Sequence, residues 1–193
     1  NVPAARRDAY SDHVIEIRWR YDPQAEPVAR RPATAEEAQL MLHMGNLAFA
    51  DLGRGSDGSQ FVIPVSAEEL GLGARPGEPI PQTPMAAVLG CADARVPLEL
   101  IFSQSANDLF VVRVAGNVLG GSSVGSIDFA LARIPSVRLV AVVGHTGCGA
   151  VTAAVDAYLD PTAYLGLSAN LPLRGVQPAA IEDRDAAAVA SDQ

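Results

Sequence analysis

Two short stretches of this chain carry side chains able to do metal chemistry. In "CADAR", Cys91, Asp93 and Arg95 occupy alternating positions, and in "HTGC", His145 and Cys148 stand three residues apart. Cysteine, histidine and aspartate can each give a lone pair to zinc. Arginine stays protonated and has none to give, so Arg95 can only be a partner of such a site, never a ligand. Two thiolates and one imidazole leave a fourth tetrahedral position open, and zinc with an open position lowers the pKa of bound water to about 7. Gly144, Gly147 and Gly149 surround the His145–Cys148 turn and let the backbone bend closely there. On spacing alone two other readings stay open. Each cysteine can be a small buried packing residue, or Cys91 and Cys148 can pair as a disulfide, which leaves His145 without a use.

Bringing two stretches some fifty residues apart to one point requires a particular scaffold. The runs "MAAVLG" (85–90), "DLFVVRV" (108–114) and "VRLVAVVG" (137–144) are short, apolar and β-branched, as buried parallel strands are. Between them "VPLELIFSQ" is read as one helix and "SSVGSIDFALARI" as another, with serine caps and with Val124, Ile127, Leu131 and Ile134 on one face. Strand alternating with helix predicts an α/β fold, a mainly parallel β-sheet flanked by helices. Cys91 follows the first strand and His145 and Cys148 follow the third, at the carboxyl ends where such sheets place ligands.

Ahead of these strands lies different sequence. Residues 1–33 are rich in Arg, Pro and Asp and read as an extended N-terminal arm, with the alternating "HVIEIRW" (13–19) as a short strand. Thr34 and Glu37 have the spacing of a capping box, and Leu40, Leu42, Met44, Leu47 and Phe49 give the helix over 34–50 a broad apolar face. "DLGRGSDGS" (51–59) ends that helix, and residues 64–84, rich in proline and glycine, read as a long connection.

Composition narrows the function classes. The net charge is -8, from 22 acidic and 14 basic residues, which argues against a nucleic-acid or anionic-membrane surface. All the basic residues are arginine, so a Schiff-base lysine and a P-loop lysine are excluded. Two cysteines are too few for a small disulfide-stapled secreted scaffold. No apolar run reaches the length of a membrane span and no signal-peptide core is evident, so a cytoplasmic protein is expected.

The segments "CADARVP", "NDLFVVRVAGNVL", "GSIDFALARI" and "VVGHTGCGAV", taken in order, resemble the β-class carbonic anhydrases, and the helix "EAQLMLHMGNLAFADL" resembles their N-terminal helix at Gly45, Asn46 and Phe49. The resemblance covers roughly Thr34 to Tyr158. It implies Zn2+ held by Cys91, His145 and Cys148, and reversible hydration of CO2 to bicarbonate and a proton. Asp93 would orient the attacking hydroxide and Arg95 would hold Asp93 ionised and correctly turned. Gln82 would donate a hydrogen bond to substrate, and Phe110 and Ala115 would line an apolar wall for CO2. In the family the glutamine and an aromatic wall residue come from a neighbouring subunit, so a homodimer or higher even oligomer is implied. The domain organisation expected on this basis is an arm over 1–33 and a single zinc-binding α/β domain over 34–193, its core at 81–160.

The chain also departs from the family. Relatives that close the site by turning the aspartate onto zinc carry a tryptophan three residues before the first cysteine; here that position is Val88, so Asp93 is expected to pair with Arg95 and to leave the metal open. Arg113 matches the arginine of the anion pocket that goes with that tryptophan. The family's last strand has no counterpart in the acidic, alanine-rich "EDRDAAAVASDQ". The same motifs suit two further functions, hydrolysis of a CO2 analogue such as carbonyl sulfide or carbon disulfide, and a catalytically silent zinc-stabilised assembly module. Asp93 and Arg95 argue against the silent module, because a structural zinc has no use for them. His13 and His43 lie outside the matched site and are read as incidental.

Overall fold

A computed structural model describes residues 16–21, 31–52, 60–65, 70 and 81–160. Its elements run β1 (Glu16–Tyr21), α1 (Ala35–Leu52), β2 (Gln60–Val65), β3 (Ala86–Cys91), α2 (Leu98–Ile101), β4 (Leu109–Val114), a 3-10 turn (Ala115–Asn117), α3 (Gly121–Arg133), β5 (Leu139–Val143) and α4 (Gly149–Leu159). The chain forms two compact units, one of Asn1–Met85 with Leu98–Leu109, the other of Ala86–Pro97 with Phe110–Gln193.

The second unit holds the α/β sheet expected from the sequence. Its strand order is β4-β3-β5, with β3 and β5 parallel from Ala86 opposite Leu139 to Gly90 opposite Val143. Every residue of β3 is buried, as a central strand covered on both faces requires. Ala87, Ala130 and Ile134 form a core cluster against which Phe110 and Val137 pack.

On α3 the expected face is packed only in part, with Ile134 buried and Ile127 half-buried. Ser123 and Ala130 are its buried residues, while Val124 and Leu131 are exposed. Small side chains let the helix lie close on the sheet there, which leaves Val124 and Leu131 outward. The serine caps are absent as well: Gly120 is the N-cap and makes no side-chain bond. α2 is four residues long rather than the expected longer helix, and Ser103, with φ 54, ends it in a left-handed turn.

In the first unit the capping box closes. Thr34 Oγ1 accepts from the Glu37 N–H at 3.2 Å, and Glu37 Oε2 accepts from the Ala33 N–H at 2.8 Å. α1 then docks on the α2 region through its glycine: a Cβ at Gly45 would sit 1.8 Å from the Phe102 carbonyl oxygen. Asn46 Nδ2 donates to the Ile101 carbonyl at 3.2 Å and Ser103 Oγ donates to the Gly45 carbonyl at 2.8 Å. Of the apolar face read from the sequence only Leu42 is buried, while Leu40, Met44 and Leu47 are exposed.

The strand read at 13–19 is described from Glu16 as β1, which runs on to Tyr21 and pairs in parallel with β2, while residues 13–15 lie outside the described residues. β2 itself was not expected, because Pro64 and the flanking turn residues mask a strand of only six residues. Residues 66–69, 71–80 and 161–193, which include most of the expected connection and the acidic tail, lie outside the described residues, as does His13.

Candidate metal centre

Each donor side chain reaches the site because a strand of the second unit ends there. Cys91 is the last residue of β3, Gly144 separates His145 from the end of β5, and Cys148 is the N-cap of α4. Between His145 and Cys148 the backbone turns back through Gly147, whose φ of 65 favours glycine. The donor atoms of Cys91, His145 and Cys148 lie within 4.8 Å of one another, a group able to hold a metal ion. The two sulfurs are 3.7 Å apart, and both cysteines are buried and free, so the disulfide reading falls.

The imidazole is set for coordination by its other nitrogen. His145 Nδ1 lies 3.0 Å from the Thr146 carbonyl oxygen, so the proton belongs on Nδ1 and the lone pair on Nε2. Nε2 is buried and has no hydrogen-bond partner within the protein. An orphaned buried nitrogen beside two thiols is what a missing ligand partner leaves behind.

Asp93 borders this cluster, with Oδ2 3.9 Å from His145 Nε2. Arg95 holds it in a two-pronged grip: Nε donates to Oδ1 at 2.9 Å and Nη2 to Oδ2 at 2.7 Å, and the Arg95 N–H adds a third bond to Oδ1 at 2.9 Å. Arg95 Nη2 also donates to the Gly147 carbonyl at 3.1 Å, which ties the arginine to the His145–Cys148 turn.

The charges of the site follow from these contacts. The Arg95 side chain first, and its amide second, hold the Asp93 carboxyl far below the usual carboxylate range. Asp93 in turn raises Arg95. Burial pushes the Cys91 thiol up, but the amides of Asp93 and Gly116, with His145 and Cys148 beside it, outweigh burial and bring it down to about 7. The neighbouring Cys91 sulfur raises His145, burial opposes that, and the Thr146 carbonyl supports it. Both shifts favour the charged forms of the two groups, and a metal ion competes with protons for the same donor atoms.

The remaining sequence-derived positions lie on several elements. Phe110 packs on Ala87, Ala130 and Ile134, its ring centroid 6.5 Å from that of Phe129. Ala115 opens the 3-10 turn and is exposed. Gln82 is exposed and belongs to the first unit. Val88 is fully buried in β3. Arg113 is occupied with the main chain of the site, its Nε donating to the Cys91 carbonyl at 2.9 Å and its Nη2 to the Asp93 carbonyl at 2.5 Å.

Two contributors escaped the sequence reading: the Gly116 N–H, 3.4 Å from Cys91 Sγ, and Asn117, whose Nδ2 donates to the Val143 carbonyl at 2.8 Å. The signal that could have found them is the Gly-Asn pair one residue after a strand, a sequence suited to left-handed backbone.

Comparisons with known proteins converge on one family. The family model described as carbonic anhydrase matches residues 86–186, more than half of the chain. Carbonic anhydrase 2 of Mycobacterium tuberculosis is 48% identical over 81 residues, 42% of this chain and 39% of that protein. The carbonic anhydrase of Mycolicibacterium smegmatis is 46% identical over 76 residues, 39% of this chain and 36% of that protein. Among solved structures, a tetrameric beta-carbonic anhydrase of Sordaria macrospora shares 24% identity at a TM-score of 0.37, over 52% of this chain and 60% of that one. The beta-carbonic anhydrase of Aspergillus fumigatus shares 30% at 0.37, over 52% and 54%. The matched stretch spans about two-fifths of the length of the Mycobacterium tuberculosis relative. With the family model matched across both halves of the metal centre, the chain belongs to the β-class carbonic anhydrase family.

Proposed function

We propose that this chain carries the catalytic centre of a zinc-dependent carbonic anhydrase that interconverts CO2 and bicarbonate. The observation that carries the reading is the trio Cys91, His145 and Cys148, bordered by a carboxylate that Arg95 keeps ionised and fixed. Two sulfur ligands on one tetrahedral zinc stand about 3.8 Å apart, given bonds of about 2.3 Å; the separation here is 3.7 Å. Two thiols and an imidazole form a soft donor set that suits zinc over magnesium or calcium.

When bound there, zinc supplies a Lewis acid that brings water to hydroxide near neutral pH. Asp93, ionised, has only acceptor atoms, so it would accept a hydrogen bond from the attacking hydroxide and leave an oxygen lone pair facing the substrate carbon. Were Asp93 protonated it would donate instead, and the lone pair would turn toward it. Arg95 prevents that, and its bond to the Gly147 carbonyl keeps Asp93 in register with the turn that bears His145 and Cys148.

CO2 is apolar and needs a wall rather than a charge, the role we assign to Phe110 and Ala115, with Gln82 donating to a substrate oxygen. Family resemblance supports these three roles and a homodimer or higher even oligomer. The apolar surface left outward on β5, where Val142 is 67 % exposed, supports a partner copy as well.

Stopped-flow CO2 hydration tests the proposal. The zinc-loaded protein hydrates CO2, a chelator abolishes the activity and added zinc restores it; a fully metallated protein that leaves CO2 untouched overturns the reading.

A further inference from the structure

The 3-10 turn Ala115–Asn117 touches both of the other strand ends that build the metal centre. Its Gly116 N–H donates to Cys91 Sγ at 3.4 Å, at the end of β3. Its Asn117 Nδ2 donates to the carbonyl of Val143 at 2.8 Å, the last residue of β5 and two before His145. Gly116 and Asn117 both have left-handed backbone, with φ of 64 and 58. Most L residues resist that conformation, whereas glycine adopts it freely and asparagine tolerates it.

The other half of the Asn117 amide makes no bond. Its Oδ1 is buried without a hydrogen-bond partner, an arrangement that costs free energy. Turning the amide over would set Oδ1 against the Val143 carbonyl, two acceptors face to face. The side chain is thus held by its donor alone, and that donor reaches the strand that delivers His145.

We propose that Asn117 is a positioning residue: by tying the turn to Val143 it keeps the Gly116 amide on the Cys91 sulfur and sets how strongly that sulfur donates to the metal. An N–H bonded to a thiolate draws electron density from it, so a turn that drifts changes both the affinity of the site and the electronic character of the sulfur–metal bond. This inference rests on the zinc reading above but not on CO2 hydration.

The test uses the full chain, loaded with metal. Asn117→Asp keeps size and tolerance of the left-handed backbone but has no donor when ionised; Asn117→Gly keeps the backbone conformation and removes the side chain. Asn46→Asp is the control, because it removes the same kind of amide-to-carbonyl bond, to Ile101, in the other unit. Zn2+ affinity is read by competition with a chromophoric chelator, and the sulfur-to-metal absorption band is read on the Co2+-substituted protein.

Both Asn117 variants are expected to bind Zn2+ about 10- to 100-fold more weakly and to shift the cobalt band, while the control matches the wild type. The proposal is overturned if the Asn117 variants keep the wild-type affinity and band, or if Asn46→Asp weakens Zn2+ binding as much. Should Asn117→Asp not fold, Asn117→Gly carries the same readouts. A wild-type protein that binds zinc without hydrating CO2 overturns the proposed function and leaves this assignment standing.

Discussion

Arg95 is 69 % exposed at its side chain, while the Asp93 it grips is 17 % exposed. The arginine is the replaceable partner and the sheltered carboxylate is what its grip serves. Lysine keeps the charge but cannot hold both carboxylate oxygens at once, so Arg95→Lys isolates geometry from electrostatics. We expect a 10- to 100-fold loss of kcat/KM at unchanged zinc content, about the cost of losing a bond that orients a metal-site group. Wild-type turnover in that variant would reduce the pair to a surface ion contact. Cys91 offers a second measurement, by ultraviolet titration of thiolate in the metal-free protein. Its ionisation should centre near pH 7, and Cys91→Ser should abolish that step. The sign is that of a depressed acid: the thiolate stabilises the metal-free fold fully above its ordinary value near 9, and the contribution is lost as pH falls through about 7. Ligand types were legible in the sequence because a thiol or an imidazole announces its chemistry. Gly116 and Asn117 were not, because one acts through a main-chain amide and the other on a main-chain carbonyl, and neither group has a residue type.

The strands were legible because burial on both faces demands continuous apolar runs, and β3, β4 and β5 fall within one or two residues of the runs that predict them. Helix faces were less so. An apolar stripe says that some face is buried; which one depends on what packs there, and on α3 the small residues Ser123 and Ala130 won. α1 makes the same point through Gly45. Alanine improves intrinsic helix propensity by about 1 kcal/mol. An added Cβ 1.8 Å from the Phe102 carbonyl oxygen forces the backbone apart, and overpacking of this kind costs about 1–3 kcal/mol or more. Repulsion should win: we expect Gly45→Ala to lower the unfolding midpoint in urea, and a raised midpoint would show that α1 is not held at Phe102.

Two compact units and one metal centre raise the question of assembly, which belongs to the whole molecule. Among the described residues β4 and β5 are the sheet's edges, and β5 exposes both Val140 and Val142. If a second copy covers such apolar surface, the folded state is favoured by mass action. Well above the dissociation constant, each tenfold rise in protein concentration should then raise Tm by roughly 2–4 °C. A Tm independent of concentration, with a monomer in sedimentation, would remove the proposed oligomer. The sequence could suggest this surface only through the family it resembles, since exposed apolar residues look like core residues until their surroundings are known.

The closeness of the two sulfurs, 3.7 Å, also governs what happens when metal is withdrawn. A thiol that ionises near neutral pH and faces a second thiol is poised for oxidation. In an oxidising solution, closing the Cys91–Cys148 bond would remove two of the three donors in a single event. A bound ion would then guard the thiols in addition to its proposed catalytic role, and a stripped protein left in air would need a reductant before it could take metal again.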